Sequence, residues 1–153
     1  MRIYRISKNQ YINDLSGEGS RLYGGRWNHI GEAMLYFSQN LSLSLLEILV
    51  HVDYPRLPLD YSFLEVEIPD NSIKNIQSIE FIEPKWSTEA AVNQLQLLGS
   101  NWLKKNESLA MKIPSAVLQP ENNFLINPMH KDFQKLKVIK SGKLDLDPRL
   151  FRK

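Results

Sequence analysis

The chain has 153 residues, 42% of them hydrophobic and 24% charged, with a formal net charge of +2. That is the size and composition of a single globular domain, 1–153, with an ample core. It has no cysteine, which excludes thiol catalysis, disulfides and thiolate metal sites.

The N-terminus has strand-like alternation over Ile3–Ile6 and no apolar signal segment. No run approaches the roughly 20 apolar residues of a membrane helix, so a cytoplasmic location is expected. Asn9–Ser20 reads as a loop, and Gly24-Gly25 as a turn in which backbone can approach a ligand closely. Ala33–Phe37 predicts a buried strand. Asn40 can cap a helix running to about Val52, before Pro55. On a helical wheel its leucines, isoleucine and valines spread around most of the circumference. Ser44, Glu47 and His51 share one polar arc, the pattern of a buried helix with its stripe toward water or a cleft.

Tyr61–Ile68 alternates as a half-buried strand, and a weaker strand is expected at Ser78–Ile82. Ser87 or Thr88 can cap a helix to about Leu98, with Gly99 breaking it before a second piece near Trp102. Leu109–Ile113, Ala116–Leu118, Phe124–Ile126 and Leu136–Lys140 predict further strands, Ser141-Gly142 turning the chain into its tail. Many short strands with a few irregularly inserted helices make the class α+β.

Three side chains stand out. Arg26, between Gly25 and Trp27, offers either a guanidinium fork for a pyrophosphate or carboxylate, or a surface arginine stacked on the indole. Tyr36 is either plain core or a flat face for a heteroaromatic ring. Glu47 is the sharpest signal, because a carboxylate in so apolar a helix needs a partner, a shifted pKa or a task; the competing reading is a solvated stripe with Ser44 and His51. Ser115 lacks a nucleophile-elbow setting, so it orients a ligand or caps a turn after Pro114. His29, His51 and His130 match no metal motif, and neither phosphate-loop nor dinucleotide-turn glycine patterns occur. The scattered basic residues give no stripe for duplex nucleic acid.

In order along the chain, Tyr4-Arg5-Ile6, Gly24-Gly25-Arg26-Trp27-Asn28, Leu35-Tyr36, Leu46-Glu47 with His51, Pro114-Ser115-Ala116-Val117, Glu121-Asn122-Asn123 and Leu125-Ile126-Asn127-Pro128 with His130 resemble the RES domain. That family is named for an arginine, a glutamate and a serine. The resemblance implies a fold like the diphtheria-toxin type of ADP-ribosyltransferase, with short strands in two packed sheets and a few inserted helices. It implies the toxin half of a type II toxin–antitoxin pair that depletes NAD+ by cleaving the nicotinamide–ribose bond, with water or phosphate as acceptor.

Glu47 would then be the catalytic carboxylate, Arg26 would bind the cofactor and Tyr36 would stack on it. Ser115 would position the substrate, Asn123 and Arg5 would line the pocket, and His51 could tune Glu47. The implied partner is a Xre-like helix-turn-helix antitoxin whose C-terminal segment blocks the site, in a homodimer or larger assembly. No metal, membrane or direct nucleic-acid contact is implied. The alternatives are a protein mono-ADP-ribosyltransferase using NAD+ and a non-catalytic nucleotide-binding module.

Overall fold

Strict alternation sets the clearest element. In β3 (Tyr61–Glu67) Ser62, Leu64 and Val66 are buried and the residues between them only partly so. β3 pairs antiparallel with β1 (Arg2–Lys8) along its whole length, from Arg2 opposite Glu67 to Lys8 opposite Tyr61. The computed structural model describes residues 1–51, 60–76, 88–147 and 149. The expected strand at Ser78–Ile82 and the Ser87 cap lie outside them.

The remaining strands are β2 (Leu35–Ser38), β4 (Ile73–Asn75), β5 (Ala110–Pro114), β6 (Asn122–Ile126) and β7 (Lys137–Lys143). The helices are α1 (Glu18–Tyr23), α2 (Leu41–Leu49) and α3 (Val92–Lys105). The α+β class is met. The two packed sheets are not: among the described residues there is one seven-stranded sheet, ordered β4-β5-β6-β2-β1-β3-β7. Its halves meet at β1 and β2, where a single residue pair, Tyr4 and Ser38, is in register. Hydrogen bonding thus stays continuous although the two halves part immediately beside that rung.

The core lies on both faces of the sheet. Phe124 and Ile126 join Ile3, Leu64 and Val66 on one side. Leu125 between them joins Trp27, Met34, Leu95 and Trp102 on the other, as the period of two requires.

Four local expectations change. The Asn40 side chain does cap α2, accepting from the Leu43 amide at 2.8 Å, but the helix ends at Leu49 and buries only Leu43 and Ser44. Leu46 and Val50 are exposed, because the sheet covers one face of this helix alone. Gly99 does not break α3. It lets the helix pass against the Trp27 carbonyl, where any Cβ would collide. Residues 116–118 are a bend, since the Ser115 hydroxyl accepts from the Val117 and Leu118 amides that a strand would spend on a ladder. Ser141-Gly142 stays within β7, with Gly142 opposite Phe63 and a Cβ there meeting the ring at 3.1 Å.

Candidate active site

The glycine turn is built around a fully buried asparagine. Gly24 ends α1 with φ at 71°, and the Gly25 amide donates to the Asn28 carbonyl at 3.0 Å, closing the loop that carries Arg26 and Trp27. The Asn28 side-chain NH2 faces the carbonyls of Ser20, His29 and Glu32 at 3.0, 3.1 and 2.9 Å. Its Oδ1 accepts from the Tyr36 hydroxyl at 2.6 Å, and the same phenol oxygen accepts from the Trp27 amide at 3.2 Å. Tyr36 is therefore pinned by its hydroxyl to the turn, with its ring in the cavity wall. Burial pushes its pKa up, while the Trp27 N–H and the charge of Arg26 pull the other way.

Gly25 is required here for space. A Cβ on it would stand 2.5 Å from the Tyr36 hydroxyl and 2.8 Å from Asn28 Oδ1. The Gln96 side chain, from α3, donates to the Gly25 carbonyl at 2.9 Å and fixes the turn from the other side. Arg26 reaches toward the N-terminal end of α3. Nη1 donates to the Thr88 carbonyl at 3.4 Å, and Nη2 lies 3.7 Å from Glu89 Oε1.

Glu47 is neither on an open polar stripe nor unpaired. Its Oε1 accepts from the Ser115 hydroxyl at 2.7 Å and from Asn123 Nδ2 at 2.6 Å. Both bonds fall on one oxygen, and among the described residues none is made to the other. The chemistry also fixes the asparagine's orientation, since only its NH2 can face a carboxylate oxygen. Asn123 Oδ1 is left buried and, among the described residues, without a hydrogen-bond partner. Ser115 itself is fully buried and does not line the cavity; it holds Glu47 from behind while closing the bend at 116–118.

Arg5 projects from β1 with Nη1 donating to the Asp14 carbonyl at 2.7 Å and Nη2 to the Tyr11 carbonyl at 3.5 Å. Burial draws its pKa down, and the nearby Asp14 carboxylate opposes this. Among the described residues it forms no ion pair, so this partly buried cation is held at the wall by backbone carbonyls.

Arg5, Arg26, Tyr36, Glu47, His51 and Asn123 all line one cavity of about 680 Å³, within the range of small-molecule sites. It opens where β1 and β2 part: carried one and two residues past the Tyr4–Ser38 rung, the register would set Arg5 against Phe37 and Ile6 against Tyr36, and all four line the cavity. Ser44 anchors α2 across the junction by donating to the Tyr4 carbonyl at 3.0 Å. His51 is exposed and makes no hydrogen bond to Glu47. Sequence reasoning took Asn28 only as part of the glycine motif, without a role of its own, and passed over Gln96 and Glu89. Asn28 had a signal, a polar residue following two glycines and a tryptophan; Gln96 and Glu89 had none, because their role comes only from α3 crossing the turn.

Two cations, the carboxylates of Glu47 and Glu89 and a fixed aromatic ring line one cavity, a set that can hold an anionic ligand while stabilising positive charge developing beside Glu47. Among the described residues no group of three histidine or acidic side chains could hold a metal, and no helix is long and apolar enough to cross a membrane.

Proteins called Toxin Res from Photorhabdus laumondii and Yersinia enterocolitica are 36% and 35% identical, over 99% and 98% of this chain and 98% and 99% of theirs. A Sphingobium protein called Prs ADP-ribosylating toxin is 34% identical over 99% of this chain and 96% of its own. The solved M. tuberculosis MbcT–MbcA toxin–antitoxin complex contains a chain of the same fold, with a TM-score of 0.76 at 17% identity, covering 98% of this chain and 86% of that one. The family model of the RES domain matches residues 2–147, and with relatives this similar along their whole length the chain belongs to the RES domain family.

Proposed function

We propose that this chain is the toxin of a toxin–antitoxin pair and inhibits growth in the cytoplasm by consuming NAD+ at the cavity between β1 and β2. The observation that carries the reading is Glu47: one oxygen is held by Ser115 and Asn123, the other is left for a ligand, and Arg26 and Tyr36 line the same cavity. NAD+ matches that set, with a pyrophosphate for guanidinium groups, a cationic flat ring for Tyr36, and a ribose that gains positive charge as nicotinamide departs. Glu47 stabilises that charge at the ribose and takes a proton from the acceptor. Ser115 acts through Glu47, fixing the carboxylate's orientation. Arg5 and Arg26 hold the pyrophosphate, and Asn123 lies beside the ribose.

The family and the names of the relatives support the toxin reading. A fold neighbour solved with an antitoxin supports a proteinaceous partner, and we assign it as a helix-turn-helix protein whose C-terminal segment fills the cavity. The test is loss of NAD+ with purified protein, with and without inorganic phosphate. Free ADP-ribose identifies water as acceptor, and ADP-ribose phosphate identifies phosphate. NAD+ that persists under both conditions, with cell extract also unlabelled, overturns the reading.

A second reading is transfer of ADP-ribose to a protein, favoured by the relative called an ADP-ribosylating toxin. Labelled NAD+ in cell extract would then mark a protein band and release little free ADP-ribose.

A further inference from the structure

Tyr23 is the most exposed large hydrophobic side chain among the described residues, 82% exposed, and yet it belongs to the wall of the cavity. Its backbone is held on both sides. It is the last residue of α1, and the Gly24 amide that follows donates to the Ser20 carbonyl at 2.8 Å. Gly25 is then locked by the Asn28 carbonyl and by Gln96. A tyrosine has few rotatable bonds, so on fixed backbone it presents a flat face at little cost in entropy.

Tyr11, also largely exposed, stands outside the cavity and shows what an ordinary surface tyrosine looks like in this chain. Tyr23 differs by position. It precedes Arg26 by three residues at the rim, while Tyr36 is pinned in the wall by the other end of the same turn. The turn and the β2 tyrosine bonded to it thus bring an aromatic ring, a guanidinium and a second aromatic ring to the wall of one cavity.

We infer that Tyr23 is a stacking platform for the purine ring of the ligand, so that the cavity reads a base at its mouth, an anion at Arg26 and a second flat ring at Tyr36. This rests on the dinucleotide reading above and adds to it the subsite that distinguishes a ligand bearing a purine from one without it. Base–aromatic stacking tolerates different bases and is lost on truncation to alanine.

The test compares wild type, Tyr23→Ala and Tyr23→Phe in NAD+ cleavage. Inhibition by ADP-ribose, which carries the purine, is measured beside inhibition by nicotinamide, which does not. Tyr23→Ala is expected to raise KM for NAD+ and Ki for ADP-ribose roughly tenfold. The change falls on KM rather than kcat, Ki for nicotinamide stays within twofold, and Tyr23→Phe restores the wild-type values. Unchanged KM and Ki in the alanine variant overturn the inference, as does an equal loss for both inhibitors, which would mean a collapsed turn or a partner contact. A wild-type protein that does not cleave NAD+ removes the enzymatic reading and the inference with it, whereas failure of the variants alone leaves the reading standing.

Discussion

Gly99 lies in the middle of α3, where glycine is a poor helix former, so replacement by alanine would ordinarily stabilise by up to about 1 kcal/mol. Here the sign reverses. A Cβ on Gly99 would stand 2.9 Å from the Trp27 carbonyl carbon, and closer still to its oxygen. Cβ contacts to main-chain atoms settle above about 3 Å, and the oxygen is the tighter contact, so helix and turn must separate by more than about 1 Å. No rotamer change relieves a clash between a Cβ and main chain. Overpacking of this kind costs about 1–3 kcal/mol, and with backbone as the obstacle the upper end applies. Set against the propensity gain, Gly99→Ala should lose about 2 kcal/mol, a fall in Tm of roughly 4–8 °C for a chain of this length. Gly19 in α1 is the control. A Cβ there meets nothing within 4 Å, so Gly19→Ala should raise stability by about 0.5–1 kcal/mol. Thermal and urea unfolding of both variants read the difference directly. A Gly99→Ala protein as stable as wild type would refute the close approach of α3 to Trp27, and with it the account of how Arg26 is placed.

Glu47→Gln keeps the oxygen that Ser115 and Asn123 address but removes the charge, so NAD+ cleavage should fall by at least about 100-fold with unfolding unchanged; wild-type turnover would sink the assignment, and Arg26→Ala is expected to be similarly inactive. Ser115→Ala strands the Val117 and Leu118 amides and leaves the Glu47 carboxylate held by Asn123 alone, so both stability, by roughly 1–3 kcal/mol, and kcat should drop. Loss of stability with kcat intact would show that Ser115 serves the bend alone. Tyr36 resists ionisation when folded, so its contribution to stability is full below the ordinary phenol pKa of about 10 and is lost as pH rises above it. Tyr36→Phe should therefore be less stable at neutral pH and show a shallower alkaline decline in urea titrations; an unchanged decline would place the alkaline sensitivity elsewhere.

Elements whose information is local were readable in the residues. The alternation of β3 and the Asn40 cap of α2 were both evident, because each depends on side chains a few positions apart. What failed depends on neighbours distant in sequence. Gly99 reads as a helix breaker until Trp27 is seen against it, and the apolar circumference of α2 reads as burial until the sheet is found to cover one face. Glu47 was visible as a carboxylate needing a partner, but its partners lie 68 and 76 residues away on other elements. Asn28 was hidden for the opposite reason. Its bonds are almost all local, yet the two glycines and the tryptophan before it signal only a tight turn, not that the asparagine will be fully buried and will anchor a phenol.

The single rung joining β1 to β2 bears on how such a site withstands sequence drift. In antiparallel strands alternate residues turn their peptide groups to the same edge, so past the Tyr4–Ser38 rung it is Ile6 and Tyr36 whose amides and carbonyls face the opening, while those of Arg5 and Phe37 turn to β3 and β6. Those groups are the same whatever amino acid occupies the position. Any ligand grip they supply survives replacement of the side chains around them, so the mouth of the cavity can diversify while the chain's own peptide groups keep their hold.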